Sequence, residues 1–143
     1  MLRWIAVGVL TAVFVAGCGD PDQKLRENAA QTARTAASEV NTTRLVVEQL
    51  RAHRLWAQPA RRMVDDADKN LGKTADSFSG QQPSTEQSAR LYEQVNSTLD
   101  DAVSAVTAVR IALGNNDLAA AEQQLTALRK SGMDLDQVGE LAK

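Results

Sequence analysis

The stretch LYEQVNSTLDDAVSAVTAVRIALG, Leu91 to Gly114, decides the fold. Its residues Tyr92, Val95, Leu99, Ala102, Val106, Val109 and Leu113 recur at intervals of 3, 4, 3, 4, 3 and 4. An α-helix turns once in about 3.6 residues, so these side chains fall on one face. Leu91, Val103 and Ile111 widen the stripe, which predicts a helix in a multi-helix core rather than one strand of a bare coiled coil. Gly114-Asn115-Asn116 predicts the end of this helix, with Gly114 as its cap. On the other side, Ser79-Gly80-Gln81-Gln82-Pro83 reads as a loop. Ser84 then reads as an N-cap, with Gln87 three residues on completing a capping box.

The flanking segments carry the same periodicity. Met63, Val64, Ala67, Leu71, Ala75 and Phe78 predict a helix from Pro59 to about Phe78, with Gly72 tolerated inside it. Before it, Ala29, Ala33, Ala36, Val40, Thr43, Val47 and Leu50 form a seam from Asp22 to about Ala57. The first half of that seam is alanine, which buries little area and predicts a weakly packed helix or tether. The second half, with Val40, Leu45, Val46, Val47, Leu50 and Leu55, is expected in the core. Pro59 breaks or kinks the run, because the residue before a proline avoids the α region and proline suits a helix's first turn.

Beyond Gly114, Asn116 or Asp117 can cap a fourth helix striped by Leu118, Ala121, Leu125 and Leu128. Lys130-Ser131-Gly132 is expected to close it, and a short last helix, Asp134 to Leu141, carries Leu135, Val138 and Leu141. The turn around Leu113–Leu118 is similar to a single helical-repeat unit of the tetratricopeptide kind, but no second copy follows at that period. Strand signals are missing, and Ala, Leu, Gln and Arg favour helix. The fold class expected is all-α: an antiparallel up-down bundle of four main helices plus a short C-terminal helix.

The N-terminus has a different character. Arg3 is followed by an uncharged apolar run, Trp4 to Ala16, and then by Val15-Ala16-Gly17-Cys18. A charged start, a short apolar core and a small-residue cleavage site make a secretory signal. The run is shorter than the roughly 20 apolar residues of a membrane-spanning helix. Val15-Ala16-Gly17-Cys18 resembles the lipobox of bacterial lipoproteins, with Val15 where leucine is usual. The resemblance covers only about the first 20 residues. It implies that Cys18, the only cysteine in the chain, is thioether-linked to diacylglycerol and becomes the first residue after cleavage. Two acyl chains hold a protein stably on a membrane. The expected organisation is a signal peptide over 1–17, a lipidated tether over 18–24 and a helical domain over 25–143. The expected location is the extracytoplasmic side of the cell membrane.

Removal of residues 1–17 takes away one charge, Arg3, and leaves 15 basic residues against 18 acidic ones. A mildly acidic chain lacks the basic footprint of a nucleic-acid binder, and none is expected as partner. About 125 residues suit one domain with a single core.

Catalytic and metal-binding patterns are weak. Asp66-Ala67-Asp68-Lys69-Asn70-Leu71-Gly72 is similar to the opening of a calcium-binding EF-hand loop. The sixth position of such a loop needs glycine and the twelfth a bidentate glutamate; here they are Leu71 and Ser77. A solvated helix face is the plainer reading. Asp100 and Asp101 are expected to face water. His53 is the sole histidine, so any triad would need it, and Arg51 and Arg54 beside it would repel a metal cation. Neither a Gly-x-Ser-x-Gly elbow nor a phosphate-binding glycine loop occurs. The sequence predicts no enzymatic activity, no cofactor and no metal. Asn41-Thr42-Thr43 and Asn96-Ser97-Thr98 match glycosylation sequons, read here as chance.

The most distinctive surface feature is basic. Arg44, Arg51, Arg54, Arg61 and Arg62 fall in a span with Glu48, Trp56 and Pro59. Arginine and tryptophan are enriched at binding hot spots, and Arg51, Arg54, Trp56, Arg61 and Arg62 are the candidate partner-binding residues. The plainer reading has the arginines solvated and paired with Glu48 and Asp65, while Trp56 caps the core at a corner. Two functional classes follow. One is a non-enzymatic, membrane-anchored module that binds a protein or an anionic envelope polymer. The other is a carrier of a small molecule or lipid between helices. Carrier pockets are lined by apolar and aromatic groups, whereas alanine-rich seams bring helices too close to leave one.

Overall fold

The computed structural model describes residues 19–143, so Cys18 and the signal segment lie outside the described residues. The described chain is all-α. Its elements are α1 (Pro21–Arg51), α2 (Ala57–Ser79), α3 (Glu86–Gly114), α4 (Leu118–Gln123) and α5 (Leu125–Leu141).

Each helix end has a local cause. Asp20 caps α1 by accepting from the Asp22 amide at 3.1 Å, and Pro21 occupies the first turn, where its missing N–H is not needed. The helix ends at Arg51, short of the expected Ala57. His53 there takes a left-handed φ of 55°. Its N–H donates to the Leu50 carbonyl (3.0 Å) and that of Arg54 to Gln49 (2.9 Å), the paired bonds of a Schellman stop. Helices α1 and α2 are therefore separate. Trp56, with extended backbone, is the first cap of α2, and Pro59 lies in its first turn.

The end of α3 repeats the device. Asn116 takes φ 58°, its amide donates to Leu113 (3.2 Å) and the Asp117 amide to Ala112 (2.9 Å). The left-handed residue is thus Asn116, and Gly114, expected as the cap, is the last helical residue. Asparagine tolerates this region better than most residues. At the start of α3 the capping box uses Thr85 and Ser88 in place of Ser84 and Gln87. The Ser84 hydroxyl is occupied elsewhere, donating to Asp22 at 2.6 Å.

His53 is the more strained of the two left-handed residues, because its side chain offers the turn no compensating bond. His53→Gly is expected to raise stability by about 0.5–1 kcal/mol, measured by urea unfolding. A loss of stability would mean that the imidazole holds the turn in a way the geometry does not reveal.

The last two helical segments differ from expectation. The break falls at Gln124, and α5 runs straight through Ser131 and Gly132, which were expected to end a helix. Gln124 keeps α-region angles, and the Leu128 amide still donates to its carbonyl at 2.9 Å, so α4 and α5 form one interrupted helix. Gly132 is buried against α1: a Cβ there would lie 3.5 Å from Asn41 Oδ1 and 3.9 Å from Val40 Cγ1. A Cβ on Gly139 would lie 3.4 Å from that of Ala33. Both glycines face α1 at van der Waals range, and neither stops the helix.

That contact overturns the expectation of a weak first half for α1. Leu25, Ala29, Ala33, Ala36 and Ala37 are all buried. The rest of the core is drawn from every helix: Val40, Val46 and Val47 of α1; Val64, Leu71 and Phe78 of α2; Val95, Leu99, Val106 and Val109 of α3; Ala121 of α4; Leu128, Leu135 and Val138 of α5. Four apolar residues assigned to stripes stand outside it. Leu45, Met63, Ile111 and Leu141 are exposed. Each helical step turns about 100°, so a residue next to a stripe can face water.

Polar contacts fix which parts of the helices are neighbours. Asp22 of α1 accepts from Ser84 and from Thr85 at 2.6 and 2.7 Å. Asn28 donates to Gln81 at 3.1 Å, and Asn70 to Glu39 at 3.4 Å. Asp68 of α2 accepts from Thr107 at 2.6 Å and pairs with Arg110 at 2.9 Å on α3. It is therefore a cross-helix link and not part of a freely solvated face. Glu48 pairs with Arg44 (3.0 Å) and reaches Arg129 of α5 (3.4 Å). Among the described residues no buried side-chain polar atom lacks a partner.

The hydrogen bonds from Ser84 and then Thr85 hold the Asp22 carboxyl below its ordinary pKa. A depressed carboxyl stabilises the fold above its unfolded pKa of about 3.9, and that contribution fades as pH falls through the lower folded value. Asp22→Asn should therefore lower the melting temperature at neutral pH, with the difference from wild type shrinking in strong acid. Thermal unfolding across that range checks it; a constant difference would contradict the assignment.

Candidate functional site

The candidate residues gather at one end of the molecule. Helix α1 brings Arg51 there in its last turn. The Schellman stop then turns His53, Arg54 and Trp56 outward, with Leu55 packed partly against the core, before α2 carries the chain back with Arg61 and Arg62 in its first two turns. The second Schellman stop, at Asn115–Asp117, lies beside it, because the Arg61 guanidinium donates to Asn116 Oδ1. Asp117 caps α4 by accepting from the Ala120 amide at 2.9 Å. The opposite end holds Asp22, Ser84 and Thr85, separated by the full length of α1.

Trp56 does not cap the core. It is 84% exposed, the most exposed large apolar side chain among the described residues. Its position is consistent with this: an N-cap residue lies outside the helical ladder, with extended backbone. Arg51, Arg54 and Arg62 are also exposed, and Arg61 is half-buried. Of the two local pairings expected, only Arg44–Glu48 forms. Among the described residues, none of Arg51, Arg54, Arg61 and Arg62 enters an ion pair. The arginine cluster is thus uncompensated by carboxylates, and an exposed indole stands among it.

The helix ends leave a notch that the linear pattern did not reveal. Leu50, Ala57, Leu113 and Leu118 form its walls, with Arg61 and Asn116 completing its lining; its volume is about 130 Å³. Leu50, Leu113 and Leu118 were each legible as the end of an apolar stripe. Nothing in their spacing shows that three stripe ends meet without filling the space between them.

A larger open depression of about 700 Å³ lies at the other end, among Asp20, Asp22, Gln23, Arg26, Glu27, Gln87 and Lys143. Its lining is mixed in charge. No group of three His, Cys, Asp or Glu side chains is placed to hold a metal ion among the described residues. Leu71 and Phe78, at and beyond the EF-hand-like stretch, are core residues of one continuous helix, so the segment cannot form a calcium loop. Among the described residues no helix is long and apolar enough to cross a membrane. No family model, curated protein or solved structure matches the chain.

Proposed function

We propose that the chain is a non-enzymatic binding module, held by lipid on Cys18 at the extracytoplasmic side of the cell membrane, whose Arg/Trp corner engages a protein or an anionic envelope polymer. In this reading the helices form an antiparallel up-down bundle. The pairing of Asp22 with Ser84 and Thr85, of Asp68 with Arg110 and of Glu48 with Arg129 supports that topology. The single observation that carries the function is the exposure of Trp56 among unpaired arginines. An exposed indole gains nothing for the fold, whereas a large amphipathic ring with guanidinium neighbours provides strong contact energy. The fully buried, alanine-rich seams favour this reading over a carrier between helices.

The test is crosslinking in intact cells, comparing wild type with a variant carrying Arg51→Glu, Arg54→Glu, Arg61→Glu, Arg62→Glu and Trp56→Ala. Loss of the crosslinked species with unchanged helicity is the expected result. Identical crosslinks would sink the corner as a binding surface. A parallel Cys18→Ser variant should leave the membrane fraction; its retention there after proven signal cleavage would overturn the anchor.

A further inference from the structure

We infer that the partner at the Arg/Trp corner is a protein segment presenting carboxylates around one large apolar side chain, which enters the notch between Leu50, Leu113 and Leu118. This rests on the reading of the corner as a binding surface. The notch has apolar walls contributed by three helix ends and by Ala57, the residue after Trp56. Space of about 130 Å³ is of the order that holds one branched aliphatic or aromatic group. A polyanionic glycan or phosphate chain presents hydroxyls and charges. Placing those against leucines would strip their water without returning hydrogen bonds. The occupant that matches the walls is a protein side chain.

The surroundings specify the flanks of that side chain. Arg51, Arg54 and Arg62, close to Trp56 in the chain, are exposed and enter no ion pair among the described residues. The carboxylate at the neighbouring turn, Asp117, is engaged with the α4 amide. Asp65 and Asp66, one turn further along α2, bound the basic surface on that side. Carboxylates on the partner can pair with these guanidiniums in two-point geometry. Arg61, held by Asn116 at the notch, is placed to meet the backbone or a carboxylate beside the inserted group.

The experiment uses the full chain in detergent micelles and three probes: acetyl-Asp-Glu-Phe-Asp-Glu-amide, the same peptide with alanine for phenylalanine, and inorganic polyphosphate. Binding is read from the NMR shift of the Trp56 indole. The phenylalanine peptide should bind about tenfold more tightly than the alanine peptide, the difference expected for burying part of one ring. Ala57→Leu, which fills the notch from its rim, should abolish that preference and leave the weaker charge-driven binding. Equal binding of the two peptides, with polyphosphate displacing both, would overturn the inference while leaving the corner as an anion-binding surface. Failure of all three probes to shift the indole would count against both.

Discussion

Phe78→Ala is expected to lower the unfolding free energy by about 3–5 kcal/mol, a large fraction of the 5–15 kcal/mol typical of a domain. Phe78 is the fully buried aromatic ring among the described residues, at the end of α2. Its ring stacks on Tyr92 of α3 with centroids 5.7 Å apart and planes 26° from parallel. Tyr92 is itself pinned, its hydroxyl donating to the Ser79 carbonyl at 2.6 Å. Truncation would leave a cavity bounded by a tethered ring and a capped loop, neither free to collapse into it. Urea unfolding measures the loss. Tyr92→Phe, which keeps the ring and removes one hydrogen bond, should cost only about 1 kcal/mol. A Phe78→Ala loss no larger than that of Tyr92→Phe would mean that this end of the core is loosely packed.

Ala33→Leu should destabilise by about 1–3 kcal/mol through overpacking, the opposite sign from what a gain in apolar area suggests. Ala33 is fully buried. Gly139 faces it, and a single carbon added there would already be in van der Waals contact with the Ala33 Cβ, at 3.4 Å. Three more heavy atoms on Ala33 must push α5 away from α1. Hydrogen exchange should therefore accelerate in α5 before it does in α2. An unchanged melting temperature with α5 still protected would show that α1 and α5 do not make the close contact described above.

These two sites mark what was legible in the sequence. Phe78, Leu71, Val95, Leu99, Val106 and Val109 could be read from spacing because large apolar residues at helical period have one face to hide. The alanine half of α1 misled because its burial depends on a distant partner, with Gly139 facing Ala33 from about a hundred residues away, and neither segment alone shows the complement. Gly132 looked like a helix stop, since composition cannot separate a residue that ends a helix from one that packs inside it against another helix. Leu45 and Ile111 misled in the other direction: beside a broad stripe, apolar character does not fix the facing. At the corner, the arginines and Trp56 were visible as composition. The exposure of the indole depended on α1 stopping at Arg51, which a left-handed histidine decides and no glycine announces.

The 31 residues of α1 span about 46 Å. Ionic screening at physiological salt has a decay length of about 8 Å. The arginines at its far end therefore stand more than five such lengths from its acidic first turn. Asp20 and Asp22, at that first turn, are electrically invisible to them. The cluster is insulated by distance alone from the carboxylates at the other end of the helix, and its field is set by its own end of the fold.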